Sequence, residues 1–218
     1  MSSGIKSQID QLTEELNYHS HIYYQESRSE ISDFEFDQKL KELEKLEAAH
    51  PEHIREDSPT HRVGGTITKS FSTVQHKYPM LSLGNTYSKE DLVEFDKRVE
   101  KGLGTSEYEY FCELKFDGVA ISLIYENGLL KKAVTRGDGV KGDDVTTNAK
   151  TIRTIPLKLS GKVPDSFEVR GEVFMPKQVF KELNEERQKN GEALLANPRN
   201  TASGTLKMQD SAVVAGRK

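Results

Sequence analysis

The sequence lacks the features that would assign it to a membrane or to an oxidising compartment. It has one cysteine, Cys112, so an internal disulfide and a zinc site built from several cysteines are both excluded. It has no apolar run near the length of about 20 residues that crosses a bilayer, and its first residues lack the apolar centre of a signal peptide. We therefore expect a cytoplasmic protein with no membrane partner.

An excess of positive charge is also missing. The 218 residues carry a formal net charge of −4 with a pI near 5.9, and 34% of them are hydrophobic and 30% charged. This composition is typical of a soluble globular protein with a modest core. A chain that binds DNA strongly by itself is usually basic, so we expect a firm hold on nucleic acid to need residues outside this sequence.

Two stretches near the N-terminus repeat apolar residues with helical spacing. The first predicts a helix over residues 5–25. The second predicts a helix that starts near Ser32 or Asp33, both good N-cap types, and ends at His50-Pro51. The apolar positions are Ile5, Ile9, Leu12 and Leu16 in the first stretch and Phe36, Leu40, Leu43 and Leu46 in the second. Because a short polar connection joins them, the pair should form an antiparallel helical hairpin.

The helical pattern fades after Pro51, where loop-forming residues accumulate. We place a domain junction here, which divides the chain into residues 1–70 and 71–218. The second part should start with a helix that Ser88 caps, with an acidic residue three positions later, and that Gly102 ends.

Apolar residues then alternate with a period of two, which predicts strands. The predicted strands are Tyr108–Leu114, Val119–Tyr125, Leu129–Thr135 and Phe167–Phe174, followed by a helix from about Pro176. Asn127-Gly128 is a strong signal for a two-residue type I′ hairpin between the second and third strands. Such a turn sets Glu126 opposite Leu129, Ile124 opposite Lys131, Ile121 opposite Val134 and Arg136 opposite Val119. This register brings Arg136 to the end of the sheet where Lys115 lies, provided that the strand pairing is not shifted by one residue.

Lys115 directly follows the first predicted strand and precedes Asp117 and Gly118. A lysine amine that loses its proton through desolvation or a neighbouring cation can attack phosphorus and form a phosphoramidate. The phosphoryl charge then needs Arg, Lys or a divalent metal, and Arg136 is the best-placed arginine. The carboxylates that suit ribose hydroxyls or Mg²⁺ are those of Glu113, Asp117 and Glu172. The competing interpretation is a surface lysine before a turn, because Lys-x-Asp-Gly fixes only three residues.

Four aromatic residues cluster around the connection of the helical hairpin, namely Tyr23, Tyr24, Phe34 and Phe36. The favoured interpretation is that they form the core of the hairpin. The alternative is an aromatic shelf for a flat heterocycle, with Asp33 and Asp37 binding its sugar or charge. We expect the nearby histidines, His19 and His21, to be solvated.

Six segments, in order, resemble those of the bacterial NAD-dependent DNA ligases. They are Tyr23-Tyr24 with Asp33, Phe36 and Asp37; residues 79–83; residues 112–118; residues 135–139; residues 168–173; and residues 197–200. The resemblance covers nearly the whole chain and implies an α+β fold. An N-terminal helical hairpin domain would precede an incomplete nucleotidyltransferase domain, of the ATP-grasp-like or DNA-ligase adenylation kind, with antiparallel sheets.

The resemblance implies that Lys115 takes AMP from NAD as lysyl-AMP and releases nicotinamide mononucleotide (NMN). The residues implied to bind the NMN half are Tyr23, Tyr24, Asp33, Phe34, Glu35, Phe36 and Asp37. Those implied to hold the adenylate side are Ser82, Leu83, Glu113, Asp117, Gly118, Arg136 and Glu172. Arg199 and Lys207 are implied to lie near the nick in duplex DNA, and the implied cofactors are NAD and Mg²⁺ or Mn²⁺.

Some features depart from the commonest pattern of this family. Tyr24, Phe36 and Lys207 stand where His, Tyr and Arg are frequent. The family normally continues with two further nucleotidyltransferase motifs, an OB-fold, a four-cysteine zinc module, helix-hairpin-helix repeats and a BRCT domain. We therefore expect a monomeric N-terminal piece of an NAD-dependent ligase that acts in DNA replication and repair, with little or no sealing activity by itself and with zinc confined to the missing part. Two alternatives stay open: a module that binds NAD or NMN without turnover, and an ATP-dependent ligase or capping enzyme that shares Lys-x-Asp-Gly.

Overall fold

A computed structural model of the chain describes residues 2–26, 29–62 and 70–217. Its elements are α1 (Ser2–Glu26), α2 (Asp33–Ala49), two short 3-10 helices (Pro51–His53 and Pro59–Arg62), β1 (Thr73–Gln75), α3 (Lys89–Leu103), β2 (Val119–Glu126), β3 (Leu129–Thr135), β4 (Lys141–Asp143), α4 (Thr146–Lys150), β5 (Ser166–Val173), α5 (Lys177–Lys189), α6 (Pro198–Leu206) and α7 (Ser211–Ala215). Helices and antiparallel sheets make the fold α+β, as predicted. Within the ranges given above, no helix is both long and apolar enough to cross a membrane.

Helices α1 and α2 form the predicted hairpin because each presents an apolar stripe to the other. Ile9, Leu16 and Leu43 are fully buried between them. Helix α2 begins where the sequence places it: the Ser32 hydroxyl accepts a hydrogen bond from the Glu35 N–H, and the Glu35 carboxylate accepts one from the Ser32 N–H. This capping box satisfies backbone donors that would otherwise lack partners at the helix start.

A three-stranded antiparallel sheet, in the order β3-β2-β5, organises the second part of the chain. One face of the sheet buries Ile121, Tyr125 and Ala133 against α4 and α6. Because successive strand residues point to opposite sides, the other face carries the intervening residues of β2, which include Ala120 and Ser122. We call this second surface the polar face of the sheet. Strands β1 and β4 pair separately.

The Asn127-Gly128 turn forms as predicted, with positive φ values of 51° and 79°, as a type I′ turn requires. Glu126 pairs with Leu129, but the predicted register is wrong by one residue farther along. The pairing skips Lys131, so the observed pairs are Ile124 with Lys132 and Ile121 with Thr135. The Arg136 N–H accordingly donates to the carbonyl of Ala120 rather than lying opposite Val119. A bulge inserts one residue into one strand, and the chemistry of the turn does not reveal it.

The predicted strand at Tyr108–Leu114 does not form. Residues 107–117 pair with no strand in the described part of the chain, and Phe111 is 90% exposed. Alternating residues make a strand only when a neighbouring backbone offers hydrogen bonds and a core face offers burial. Here the segment is tied to α3 instead, since the hydroxyls of Tyr108 and Tyr110 both donate to the Asp96 carboxylate at 2.8 Å.

Helix α3 has the predicted start but a later end. Ser88 and Asp91 form its capping box. The helix runs to Leu103, and Gly104 rather than Gly102 ends it, with a left-handed φ of 71° that suits glycine.

Polar contacts join the segment that follows the helical hairpin to β3 and to the turn after α4. The Arg62 guanidinium donates to the carbonyls of Ile152 and Ile155, at 3.0 Å each. Lys131 of β3 forms an ion pair with Glu56. The two hydrogen bonds of Arg62 hold the turn that contains residues 152–155 against the second 3-10 helix.

Candidate functional site

The segment that ends at Gly118 is fixed against the end of β5. Gly118 is buried, and its N–H donates to the Glu172 carboxylate at 3.2 Å. A Cβ at Gly118 would lie 2.2 Å from the Val173 carbonyl oxygen, so the close approach requires glycine. Next to it, the rings of Phe116 and Phe174 stack with centroids 4.8 Å apart. These contacts anchor the chain within three residues of Lys115.

Lys115 itself is exposed, as are Glu113 and Asp117. The Asp117 carboxylate lies 3.5 Å from the Arg199 guanidinium of α6. The Lys115 amine is therefore open to a ligand from solvent, next to a carboxylate that already has a cationic partner.

Three residues form a row across the polar face at this end of the sheet. Ala120 pairs with Glu172 on one side, and its carbonyl accepts the Arg136 N–H at 3.2 Å on the other. Directly opposite residues in antiparallel strands point to the same face, and neighbouring strands lie about 4.8 Å apart, so the Cα atoms of Glu172 and Arg136 are about 10 Å apart. Because the side chain of Ala120 is small, it leaves a gap between its two neighbours: the Glu172 carboxylate, which accepts the Gly118 N–H, and the Arg136 guanidinium, which donates to Ser82. That gap suits a sugar–phosphate unit.

The loop after β1 completes this region. The Met80 N–H donates to the Gly139 carbonyl at 2.8 Å, and the Arg136 guanidinium donates to the Ser82 hydroxyl at 3.4 Å. Arg136 therefore lies at the predicted end of the sheet despite the register error, and Ser82 contacts it there. Leu83 is 77% exposed.

Close backbone contacts hold the glycine turn after Arg136. At Gly137, where φ is +56°, a Cβ would lie 2.0 Å from the Lys141 carbonyl oxygen. The His76 ring lies 3.2 Å from the Arg136 carbonyl oxygen. These contacts fix the conformation of the turn.

The helical hairpin contains a cavity of about 270 Å³ between the last turns of α1 and the start of α2. Its volume is close to the lower end for ligand pockets, about 300 Å³. The described residues that line it are His19, Ser20, Tyr23, Ser29, Glu30, Ile31, Ser32, Phe36, Asp37 and Arg153. The structure thus brings together three of the predicted hairpin residues: Tyr23, Phe36 and Asp37.

Other predicted hairpin residues do not line this cavity. Phe34 is 70% exposed. The Glu35 carboxylate serves the capping box, and hydrogen bonds from Ser32 hold its pKa below the ordinary value. The side chains of Tyr24 and Asp33 lie outside the described residues. Because Tyr23 is half exposed, the interpretation of the aromatic cluster as a hairpin core is wrong for Tyr23 and Phe34.

Sequence reasoning missed two basic residues of the cavity. His19, which was expected to be solvated, has a side chain only 11% exposed. Arg153 comes from the turn after α4, more than 100 residues along the chain from Phe36 and Asp37. No local sequence signal marks Arg153, because only the contacts between the hairpin and that turn bring it to the cavity.

The cations expected near DNA are both paired with carboxylates. Lys207 lies 2.6 Å from Asp143, and Arg199 contacts Asp117. Among the residues that the structure describes, there is no group of three or more His, Cys, Asp or Glu that could hold a metal ion.

Two family profiles match the chain. The profile of the NAD-dependent DNA ligase adenylation domain matches residues 68–218, and that of the DNA ligase-like, N-terminal NAD⁺-binding domain matches residues 2–64.

Curated relatives agree with these profiles, and those that follow are each named DNA ligase. The relative from Cytophaga hutchinsonii is 58% identical over 97% of this chain, that from Phocaeicola vulgatus 59% over 96%, and that from Flavobacterium johnsoniae 54% over 98%. In each case the match covers 32% of the relative, so the chain spans about a third of the length of the curated relatives it matches. On these matches, the chain belongs to the family of NAD-dependent DNA ligases.

Proposed function

We propose that this chain performs the first step of NAD-dependent DNA ligation, the transfer of AMP from NAD to Lys115. The neutral Lys115 amine attacks the phosphorus of the AMP half. A P–N bond forms, the P–O bond to the other phosphate breaks, NMN leaves with that oxygen, and the amine proton passes to solvent. The contact between Gly118 and Glu172 carries the proposal, because it fixes the chain next to Lys115 at the edge of the polar face.

The two halves of NAD would bind different parts of the chain. Residues 1–70 would take the NMN half, with the rings of Tyr23 and Phe36 beside the nicotinamide and Asp37 beside its positive charge or its ribose. The cavity at the hairpin supports this assignment. Of the remaining predicted hairpin residues, Tyr24 and Asp33 stay proposals, while Phe34 and Glu35 lack support from the geometry.

Residues 71–218 would take the adenylate half. Glu172 and Arg136 face the gap above Ala120, where they would contact the ribose and the phosphate. The other residues proposed here are Ser82, Leu83, Glu113, Asp117 and Gly118. Mg²⁺ would supply charge neutralisation at the phosphates. Because it needs only one or two carboxylates plus substrate phosphates, Glu113 and Glu172 would be sufficient protein ligands.

In the longer relatives, the adenylate would pass on to nicked duplex DNA during replication and repair. We propose that Arg199 and Lys207 meet the phosphates at the nick. Their present partners, Asp117 and Asp143, are exposed or half-buried, where an ion pair contributes about 0–1 kcal/mol. DNA phosphates could therefore replace these carboxylates at little cost. We further propose that the protein is a cytoplasmic monomer.

A second candidate function is binding of NAD or NMN without turnover. One observation favours it: residues 107–117 pair with no strand in the described part of the chain and Lys115 is exposed, whereas a lysine nucleophile is usually activated by desolvation or by a nearby cation. If this alternative holds, the hairpin cavity binds NAD or NMN, but Lys115 does not accept AMP.

Intact-mass spectrometry after incubation with NAD and Mg²⁺ separates these functions. We expect a gain of one AMP, which peptide mapping places on Lys115. Lys115→Ala should gain nothing, and the control Lys101→Ala, at an exposed lysine of α3, should gain AMP like the wild type. Binding of NMN without a mass gain would favour the second candidate. A gain from ATP in place of NAD would contradict the choice of cofactor.

A further inference from the structure

Strand β5 carries a basic residue, Arg170, that the proposed function does not use. Arg170 pairs with Ser122 of β2, two residues along the strands from the pair of Ala120 and Glu172. Residues two apart in a strand point to the same face of a sheet, so Arg170 lies on the polar face beside Glu172. It is therefore a neighbour of the gap above Ala120.

The Arg170 guanidinium holds the backbone of the loop between β1 and α3. It donates to the Tyr78 carbonyl at 2.6 Å and to the Pro79 carbonyl at 3.0 Å. The two acceptors belong to adjacent residues, and the planar fork of a guanidinium suits such a pair because its donors are fixed relative to each other. The partners are 91 and 92 residues apart in the chain, so these bonds tie distant segments together.

A carboxylate on the same strand orients this guanidinium. The Glu168 carboxylate accepts from Arg170 at 3.3 Å, and the same oxygen accepts the hydroxyl of Ser122 at 2.8 Å. Ser122 is fully buried, and the side chain of Glu168 is only 16% exposed. Because a buried hydroxyl fixes the carboxylate, the charge-assisted contact holds the guanidinium toward the loop.

The loop has little apolar burial of its own. Among residues 77–83, only Met80 is buried, so packing contributes little to the position of the loop. The contact between the Arg136 guanidinium and the Ser82 hydroxyl, at 3.4 Å, is longer than the usual range of about 2.7–3.2 Å. The position of Ser82 therefore depends on how the preceding residues are held, and Arg170 holds two of them.

From these contacts we propose that Arg170 is a positioning residue for the adenylate half of NAD. By fixing the loop on the polar face, Arg170 keeps Ser82 beside Arg136 and raises the affinity for NAD without contacting it. This inference rests on the proposed function, in which Ser82 and Leu83 contact the adenylate half. Among the described residues that line the hairpin cavity, none belongs to this loop, so the affinity for NMN does not depend on Arg170.

Single-turnover adenylation of the whole chain tests this proposal, with intact-mass spectrometry as the readout and NAD varied in the presence of Mg²⁺. Arg170→Ala should raise the NAD concentration that gives half the maximal rate by about tenfold, because losing a hydrogen bond to a charged donor changes an equilibrium by about that factor. The maximal rate should change little, since the lost interaction is the same in the ground state and the transition state. Arg170→Lys should lie in between, because an ammonium lacks the planar fork. The matched control Arg98→Ala, on an exposed arginine of α3, should react like the wild type.

Two further measurements separate positioning from a general loss of structure. The Met80 N–H donates to the Gly139 carbonyl at 2.8 Å, so its exchange with solvent reports how often the loop leaves the sheet. In Arg170→Ala this amide should exchange about tenfold faster. The affinity for NMN, measured by calorimetric titration, should stay at the wild-type value in the same variant.

The possible failures are distinguishable. An unchanged half-maximal NAD concentration in Arg170→Ala would overturn the role of Arg170 while the proposed function stands. So would a loss confined to the maximal rate, which would place Arg170 in the chemical step, or an equal loss of affinity for NMN and NAD, which would indicate a general structural role. If the wild type gains no AMP from NAD, the proposed function fails, and this inference fails with it.

Discussion

Replacement of Gly118 by alanine tests whether the chain next to Lys115 is held against β5. The new Cβ would lie 2.2 Å from the Val173 carbonyl oxygen, a backbone atom that cannot rotate away. Bringing that contact to 3.0 Å takes a displacement of about 0.8 Å, the difference between the two distances. Directed away from β5, this shift lengthens the 3.2 Å bond from the Gly118 N–H to Glu172 to about 4.0 Å, which is beyond hydrogen-bonding range.

The free-energy cost follows from the lost bond. A hydrogen bond to a charged acceptor contributes about 1.5–3 kcal/mol, which corresponds to a local opening constant about 10- to 100-fold larger. We expect the amide of residue 118 to exchange with solvent faster by that factor, as measured by NMR. Under the proposed function, adenylation of Lys115 should slow in the same variant, because the nucleophile loses its anchor.

Gly171→Ala is the matched control for this experiment. Gly171 lies in β5 next to Glu172, and a Cβ there would meet nothing within 4 Å. In Gly171→Ala, the amide of residue 118 should exchange with solvent at the wild-type rate. Wild-type exchange and wild-type adenylation in Gly118→Ala would refute the reasoning, since they would mean that β5 does not restrain this segment.

Two further predictions concern stability. Burial, with a smaller contribution from Lys150, holds the pKa of His61 below its ordinary 6.5. The unfolded state therefore binds more protons as the pH falls through that value, and the free energy of unfolding should decrease by at most about 1.4 kcal/mol per pH unit. His61→Gln should flatten this dependence in thermal melts between about pH 5 and 8, and equal slopes would contradict the prediction. Leu43→Ala removes a fully buried side chain between α1 and α2 and should lower the free energy of unfolding by about 2–5 kcal/mol in urea titrations. The exposed Lys45→Ala should change it little, and a similar loss in both variants would contradict the assigned core.

The hairpin region shows which features depend on residues close in sequence and which depend on long-range contacts. The start of α2 follows from Ser32 and Glu35, which lie three residues apart and satisfy each other's backbone donors. The cavity follows only in part, because Tyr23, Phe36 and Asp37 belong to the hairpin whereas Arg153 does not. A sequence pattern covers neighbours within a turn or two of helix, and it carries no information on which distant turn packs nearby.

The sheet region shows the same distinction, because two predictions made for it from local sequence were wrong. Asn127-Gly128 determines the turn, but no signal in the turn residues marks the bulge at Lys131. The alternation in Tyr108–Leu114 predicts a strand, yet pairing needs a second backbone at the correct distance. The position of Arg136 at the sheet end was predicted because a shift of one residue moves it by only one row.

By itself, the sequence determined the helical hairpin, the type I′ turn and the motif around Lys115, because each depends on residues that are close in the chain. The tertiary structure decided that Gly118 approaches β5, that Glu172 and Arg136 share a row on the polar face, and that Arg153 closes the hairpin cavity. The physical reason is that hydrogen bonds, close packing and opposite charges act over a few ångströms of space, whatever the number of residues between the partners.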